Sequence, residues 1–219
     1  MINKKKITIV DYGIGNIMSL KMAIESLGGE VTLSKNPDEI LSSKYIILPG
    51  VGSFGNAMSK IKKFKLNECL QEAFQKKIFI LGICLGAQIL MTKSEEFGIN
   101  YGLNFIPGKV INISNSSERI NKDIKLPHIG WSNIQIEKNL DQNSKSLMKD
   151  IEAEKDYFYF IHSYIGLSEN TCHQISFTKY ENLKIPAVFG FQNVFGCQFH
   201  PEKSGKSGLK LLHNFINLD

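Results

Sequence analysis

The sequence predicts an α/β fold: an open, mostly parallel sheet flanked by helices, with an antiparallel extension in the second half. Three observations carry this prediction. In the first half, short apolar runs alternate with segments of helical periodicity, the rhythm of βαβ units. Those runs are almost continuously apolar, as strands covered on both faces are. In the second half the β-like runs crowd together, which suggests hairpins.

The elements follow in order. Lys6–Asp11 reads as a first strand, and Asn16–Leu27 carries Ile17, Leu20, Ile24 and Leu27 at helical spacing. Glu30–Leu33 is a second strand after Gly28-Gly29, and Tyr45–Leu48 a third, ending in Pro49-Gly50. Leu66–Gln75 reads as a helix and Ile78–Ile83 as the next strand. Later β-like runs are Lys109–Ile113, Trp131–Ile136, Tyr157–Ile165, Ile175–Phe177, Ala187–Phe191 and Val194–Phe199. Ser204–Leu218 closes as a helix with Leu209, Leu212, Phe215 and Ile216 on one stripe. No repeat or linker divides the chain, so one domain over 1–219 is expected.

Bulk properties narrow the function. With 219 residues, 42% hydrophobic and 21% charged, the chain can bury a substantial core. No apolar run reaches membrane-spanning length, and no signal-peptide pattern opens the chain; Lys4-Lys5-Lys6 leads straight into a strand. The net charge of +5 comes almost wholly from lysine, with Arg119 the sole arginine, which disfavours nucleic-acid readout. The densest lysine cluster, Lys60, Lys62, Lys63 and Lys65, reads most simply as a solvated helix face or loop. Cys69, Cys84, Cys172 and Cys197 show neither CxxC pairing nor metal-ligand spacing. Free thiols in a reducing cytoplasm, and no metal or cofactor, are the expectation.

Chemistry concentrates in two segments. In Phe79–Gln88 an apolar strand runs into Gly82-Ile83-Cys84-Leu85-Gly86, the layout of a nucleophile elbow with cysteine in the reactive position. Cys84 would sit at the start of a helix, whose partial positive charge favours a thiolate. Taken alone, a buried thiol in a strand–turn–helix corner explains the pattern equally well. The second segment is His200-Pro201-Glu202. A cysteine nucleophile needs a base, and the base an orienting group. Pro201 biases His200 towards extended backbone, in which Glu202 shares its side and could hold one ring nitrogen while the other faces Cys84.

Function in open parallel sheets gathers beyond the carboxyl ends of the strands. Two glycine-rich loops fall there, Asp11–Asn16 and Pro49–Gly55, and neither has a phosphate-cradle pattern. The second could present a backbone N–H from Val51 or Gly52, beside that of Leu85, to an oxyanion on Cys84. Such a donor is worth on the order of 3 kcal/mol.

Together these residues resemble the class I (triad) glutamine amidotransferases. Asp11-Tyr-Gly-Ile-Gly-Asn16, Pro49-Gly-Val-Gly-Ser-Phe-Gly55, Pro127-His-Ile-Gly-Trp131, His162-Ser-Tyr164 and His200-Pro-Glu-Lys-Ser-Gly205 are similar to the HisH family of glutaminase subunits, in order and along essentially the whole chain. The resemblance implies a flavodoxin-like sheet and hydrolysis of L-glutamine through a Cys84 thioester, with His200 moving protons and Glu202 orienting it. It implies that Gln88, Glu96, His162, Ser163 and Tyr164 contact glutamine. It also implies a (β/α)8-barrel synthase partner, facing Asn16, Trp131 and Lys203, that turns the ammonia into imidazole glycerol phosphate and an aminoimidazole carboxamide ribotide. On composition alone, Trp131 reads equally as a half-buried core aromatic, Lys203 as a solvent-facing charge, and Gln88 and above all Glu96 as polar side chains facing water.

The chain departs from the family pattern at Ser132 within Gly130-Trp131-Ser132-Asn133, at Ser94–Gly98 and at Thr178–Glu181. These changes spare Cys84, His200 and Glu202 but leave the partner open. A related synthase that amidates surface-polysaccharide or flagellar sugars is the alternative recipient. A stand-alone cysteine hydrolase and a non-catalytic scaffold subunit are further alternatives.

Overall fold

The computed structural model describes residues 5–116 and 124–219, so Lys4 and Arg119 lie outside the described residues. The first half alternates as expected: β1 (Lys6–Val10), α1 (Ile17–Ser26), β2 (Glu30–Ser34), α2 (Pro37–Leu41), β3 (Tyr45–Leu48), α3 (Phe54–Lys63), α4 (Leu66–Gln75), β4 (Phe79–Ile83) and α5 (Leu85–Gln88). The rest runs β5 (Met91–Ser94), β6 (Asn100–Tyr101), β7 (Ile106–Asn112), β8 (His128–Asn133), β9 (Gln135–Ile136), α6 (Gln142–Leu147), β10 (Tyr157–His162), β11 (Tyr164–Ser168), β12 (Gln174–Tyr180), β13 (Leu183–Phe191), β14 (Val194–Cys197) and α7 (Gly205–Phe215).

The main sheet has the order β2-β1-β3-β4-β14-β13-β12-β9. Its first five strands are parallel, and β13, β12 and β9 continue it antiparallel. A second sheet, β11-β7-β5-β6, and a two-stranded ribbon, β10-β8, make up the remainder. The alternating side chains divide between two cores. Ile7, Ile9, Tyr45, Ile47, Phe79 and Leu81 join Leu20 and Ile24 of α1 and Leu212 and Phe215 of α7 on one face. Val10, Ile46, Leu48 and Ile80 pack with Phe54, Ala57 and Ile61 of α3 and Leu70 of α4 on the other. Burial on both faces is why these strands read as unbroken apolar runs.

Several expectations shift in detail. Two helices, α2 and α3, are not among the elements expected; α2 starts at Asn36, which accepts from the Asp38 N–H at 2.9 Å, with Pro37 in its first turn. Lys60, Lys62 and Lys63 occupy the last turn of α3, favoured there by the carbonyl-rich helix end, and Lys65 stands in left-handed backbone. On α7 the buried stripe is Leu211, Leu212 and Phe215, with Leu209 half-buried. The run Tyr157–Ile165 is two strands broken at Ser163: β10 pairs with β8, and β11 with β7. The helix after the elbow is a single turn, since the chain passes through Ile89 and Leu90 into β5.

The order β2-β1-β3-β4 reverses direction between β1 and β3, and the two glycine-rich loops flank that crevice. Tyr12, fully buried, ties them together by donating its hydroxyl hydrogen to the Pro49 carbonyl at 2.5 Å. The second loop lies hard against the elbow. A Cβ on Gly86 would fall 1.8 Å from the Leu48 carbonyl oxygen, and one on Gly50 2.5 Å from the Gly86 nitrogen. Neither contact can relax by moving a side chain, because backbone meets backbone. Gly86→Ala is therefore expected to lower the thermal midpoint by more than about 10 °C or to leave the chain insoluble, read by differential scanning fluorimetry of the purified variant.

Candidate active site

Strand β14 lies beside β4 in parallel register, with Gly196 opposite Gly82 and Cys197 opposite Ile83. Both strands end at the same level, and the Cys84 N–H donates to the Cys197 carbonyl at 2.8 Å. Cys84 and His200 thereby emerge side by side from adjacent strand ends. Cys84 adopts φ 54°, ψ −110°, a conformation that costs a non-glycine residue of order 1–3 kcal/mol and marks a sharp strand-to-helix corner. Gly82 permits the corner, since a Cβ there would lie 2.4 Å from the Gly86 oxygen.

His200 keeps the extended backbone expected before proline, at φ −99°, ψ 97°. Pro201–Lys203, however, form a 3₁₀ turn in place of a continued strand. Glu202 still reaches back, and its Oε1 lies 2.9 Å from His200 Nδ1 with both side chains 3% exposed. With the carboxylate accepting at Nδ1, Nε2 is the ring nitrogen left for exchange. Burial by itself would lower the His200 pKa; the interactions with Cys84 and Glu202 outweigh it and raise the pKa to about 9.

A cleft of about 440 Å³ opens over Cys84. Its lining includes Val51, Gly52, Leu85, Gln88, Glu96, His162, Ser163, Tyr164 and His200, so every sequence-predicted substrate and oxyanion residue meets in one place. Gln88 and Glu96 are buried, not surface residues. One Glu96 oxygen accepts the Phe54 N–H, in the first turn of α3, at 2.6 Å, which explains a carboxylate at 8% exposure. The other expected positions lie apart from the cleft lining. Asn16 stands before α1 without a side-chain cap bond, and α1 packs on the turn that carries Lys203. Trp131 is not a core aromatic; it is 55% exposed on the ribbon, edge-on to Tyr159. Lys203 Nζ lies 5.9 Å from the same Tyr159 ring.

Sequence reasoning missed two contributors as site residues. Gln198 is fully buried and donates from Nε2 towards Cys84 Sγ at 3.8 Å. Its position two residues before His200, on the same side of extended backbone, was the available signal. The second is His128, inside the Pro127–Trp131 motif, stacked between Phe160 and Tyr180. His162 Nδ1 faces the Tyr164 carbonyl at 2.9 Å and must donate to it. Its Nε2 then accepts from His128 Nδ1 at 3.2 Å, and His128 Nε2 accepts the Ser132 hydroxyl at 3.0 Å. This arrangement satisfies both rings in their neutral form. Burial, together with the charges of His128 and His200, pulls His162 down to about 3 despite its bond to Tyr164, and burial pulls His128 down to about 4.

With this geometry in place, the comparisons with known proteins decide the family. The family profile described as glutamine amidotransferase class-I matches residues 8–218. The chain belongs to the class-I glutamine amidotransferase family. Among curated relatives, imidazole glycerol phosphate synthase subunit HisH of Lactococcus lactis is 42% identical, with 97% of this chain and 98% of the relative covered. The Bacillus subtilis subunit of the same description is 38% identical over 97% and 96%. Among solved structures, one described as PurLQS from Thermotoga maritima superposes with TM-score 0.70 at 21% identity, covering 98% of each chain. Another, described as a glutamine amidotransferase, gives TM-score 0.71 at 13% identity, over 96% of this chain and 97% of that one. At those identities the two structures speak for the fold, a mostly parallel sheet with antiparallel strands, as the sequence predicts.

The histidines of this amidotransferase give its stability a definite pH dependence. His128 and His162 are depressed in the fold, so unfolded chains take up their protons first as pH falls below about 6.5. Each then costs up to about 1.4 kcal/mol per pH unit, until its folded pKa is reached. His200 is raised, so its contribution is complete below about 6.5 and is lost as pH climbs through about 9. The urea midpoint is expected to be highest near pH 6.5 and to fall on both sides, and His162→Gln is expected to flatten the acid limb. Urea titrations at half-unit pH steps check both.

Proposed function

We propose that this chain is the glutaminase subunit of an imidazole glycerol phosphate synthase, hydrolysing L-glutamine and passing ammonia to a (β/α)8-barrel partner for histidine biosynthesis. The observation that carries the reading is the convergence of Cys84 and His200, the latter held by Glu202, in a cleft lined by the residues expected to hold glutamine. The curated HisH relatives, 34–42% identical over 97% of the chain, support the histidine pathway over sugar amidation.

The chemistry follows from the geometry. Cys84 Sγ attacks the side-chain amide carbon of glutamine as the thiolate, with the proton on His200 Nε2. Glu202 holds the imidazolium through Nδ1–H. The carbonyl oxygen becomes an oxyanion that the Leu85 N–H and one from Val51 or Gly52 would take, where the loop abuts the elbow. His200 returns the proton to the departing nitrogen, ammonia leaves, and a thioester remains. Water, deprotonated by Nε2, then releases glutamate and the free thiol. Glu96 keeps a carboxylate oxygen for the substrate ammonium. Gln88 has its Nε2 committed to Tyr164 and Gln198, so Oε1 is the atom it offers. His162, Ser163 and Tyr164 form the opposite wall. No cofactor enters these steps. The cyclisation and lyase chemistry belongs to the partner, and the free cysteines suit a reducing cytoplasm.

An exposed apolar face supports the partner reading. Ile129, Trp131, Tyr157 and Ile161 line the β8–β10 ribbon beside the cleft, 40% or more exposed, where a monomer gains nothing from them. Asn16 and Lys203 complete the proposed contact.

Cys84→Ala and His200→Ala are expected to cut glutamine-dependent synthesis by the reconstituted complex more than about 10³-fold. Glu202→Gln loses less, because it orients the base without reacting. Ammonia-driven synthesis survives all three, measured by product absorbance with glutamine or ammonium as donor; its loss would contradict the assignment. Trp131→Ala is expected to weaken association with the cyclase subunit about tenfold or more by calorimetry. Failure of the gene to rescue a histidine auxotroph lacking this subunit would redirect the ammonia to another synthase.

A further inference from the structure

We propose that Gln198 is a positioning residue for the Cys84 thiolate, holding a side-chain N–H on Sγ in an orientation dictated by its neighbours. The inference deepens the reading of Cys84 as nucleophile and rests on it.

The orientation of the amide is not free. The Tyr164 carbonyl oxygen only accepts, so the Gln88 group 2.9 Å from it is the NH₂. The same NH₂ lies 3.1 Å from Gln198, which must present Oε1 there. Nε2 of Gln198 is then the atom facing Cys84 Sγ. Reversing the Gln198 amide would set two NH₂ groups against each other and a carbonyl oxygen against the sulfur. The backbone is pinned as well, with the Gln198 N–H donating to the Ala187 carbonyl at 2.8 Å. The Tyr164 carbonyl that begins this line also takes the His162 Nδ1–H, so its position is held from two sides.

A neutral thiol is a weak acceptor, and 3.8 Å is a long contact. A thiolate takes the same N–H as a charge-assisted bond, which is stronger and shorter. Gln198 therefore favours the charged sulfur over the neutral one and fixes the direction of its attacking lone pair. This matters because α5 is a single turn and supplies little dipole of its own. The titratable groups that act with Cys84 are His200, Tyr12 and Cys197. None is altered when Gln198 is replaced.

The test is alkylation of Cys84 by iodoacetamide in the full chain, followed by mass spectrometry of the Cys84 peptide across pH. It uses a Cys172→Ser background, since Cys172 is the exposed thiol while Cys69 and Cys197 are buried. Gln198→Met, which keeps the volume and removes the donor, is expected to raise the midpoint of the rate profile by about one pH unit. Gln198→Glu still accepts from Gln88 but faces the sulfur with a carboxylate, and is expected to raise it further. In the complex, kcat falls while KM for glutamine holds. Unchanged midpoints in both folded variants overturn the proposal. Where either variant fails to fold, the Gln198 side-chain amide resonances of the parent protein must move with the Cys84 titration, and their silence overturns it equally. A Cys84 that resists alkylation in the parent at every pH would instead sink the nucleophile reading itself.

Discussion

The parallel pairing of β4 with β14 is the constraint on which the site depends. The two strands are far apart in sequence, yet their register places Cys84 and His200 at neighbouring strand ends. A slip of one residue would turn each side chain to the opposite face of the sheet. The register is secured by burial on both faces and by the Cys84 N–H bonding to Cys197. Close backbone packing does the rest. Gly82, Gly86 and Gly50 let the elbow, its own strand and the neighbouring loop approach to distances that no side chain would permit. The strained backbone of Cys84 persists because everything around it is over-determined in this way.

The electrostatics of the site come from side chains more than from the fold. A long helix behind the nucleophile would contribute a macrodipole, but α5 ends after one turn. His200, held protonated through neutral pH by its neighbours, is the countercharge available to the sulfur. Glu202 fixes the tautomer of that ring, and Gln198 supplies a donor from the other direction. The cost is borne by burying three imidazoles in one region, two of them forced neutral. The single direction of donation from Ser132 through His128 and His162 to Tyr164 is how two neutral rings remain satisfied there.

The second-half strands shape the cleft instead of extending a repetitive scaffold. The ribbon β10-β8 and the sheet containing β11 bring Ile161, His162, Ser163 and Tyr164 over the elbow, and the break at Ser163 lets one chain segment serve both. The outer side of that ribbon carries Trp131 and its apolar neighbours. The wall of the cleft and the proposed docking face thus share one pair of strands, with Ile161 common to both.

Much of this was legible in the sequence because it is local. Apolar runs of strand length, the glycines around Cys84 and the His200-Pro201-Glu202 spacing are chain-neighbour relations, and periodicity and turn chemistry report such relations directly. The first-half strands therefore fall within a residue or two of their predicted bounds. The exceptions have physical reasons: α2 is too short to show a period, and the turn at Pro201 replaces an extended run without losing the His200–Glu202 contact. Polar side chains in the cleft were harder to read, since burial of Gln88, Glu96, Gln198 and His128 depends on what packs over them from distant segments. Residue type and spacing named the candidate reactive groups; packing between remote strands decided which amide faces the sulfur, which histidines are neutral and that Trp131 stays in solvent, because hydrogen-bond partners and desolvation are set by three-dimensional neighbours and leave no period in the chain.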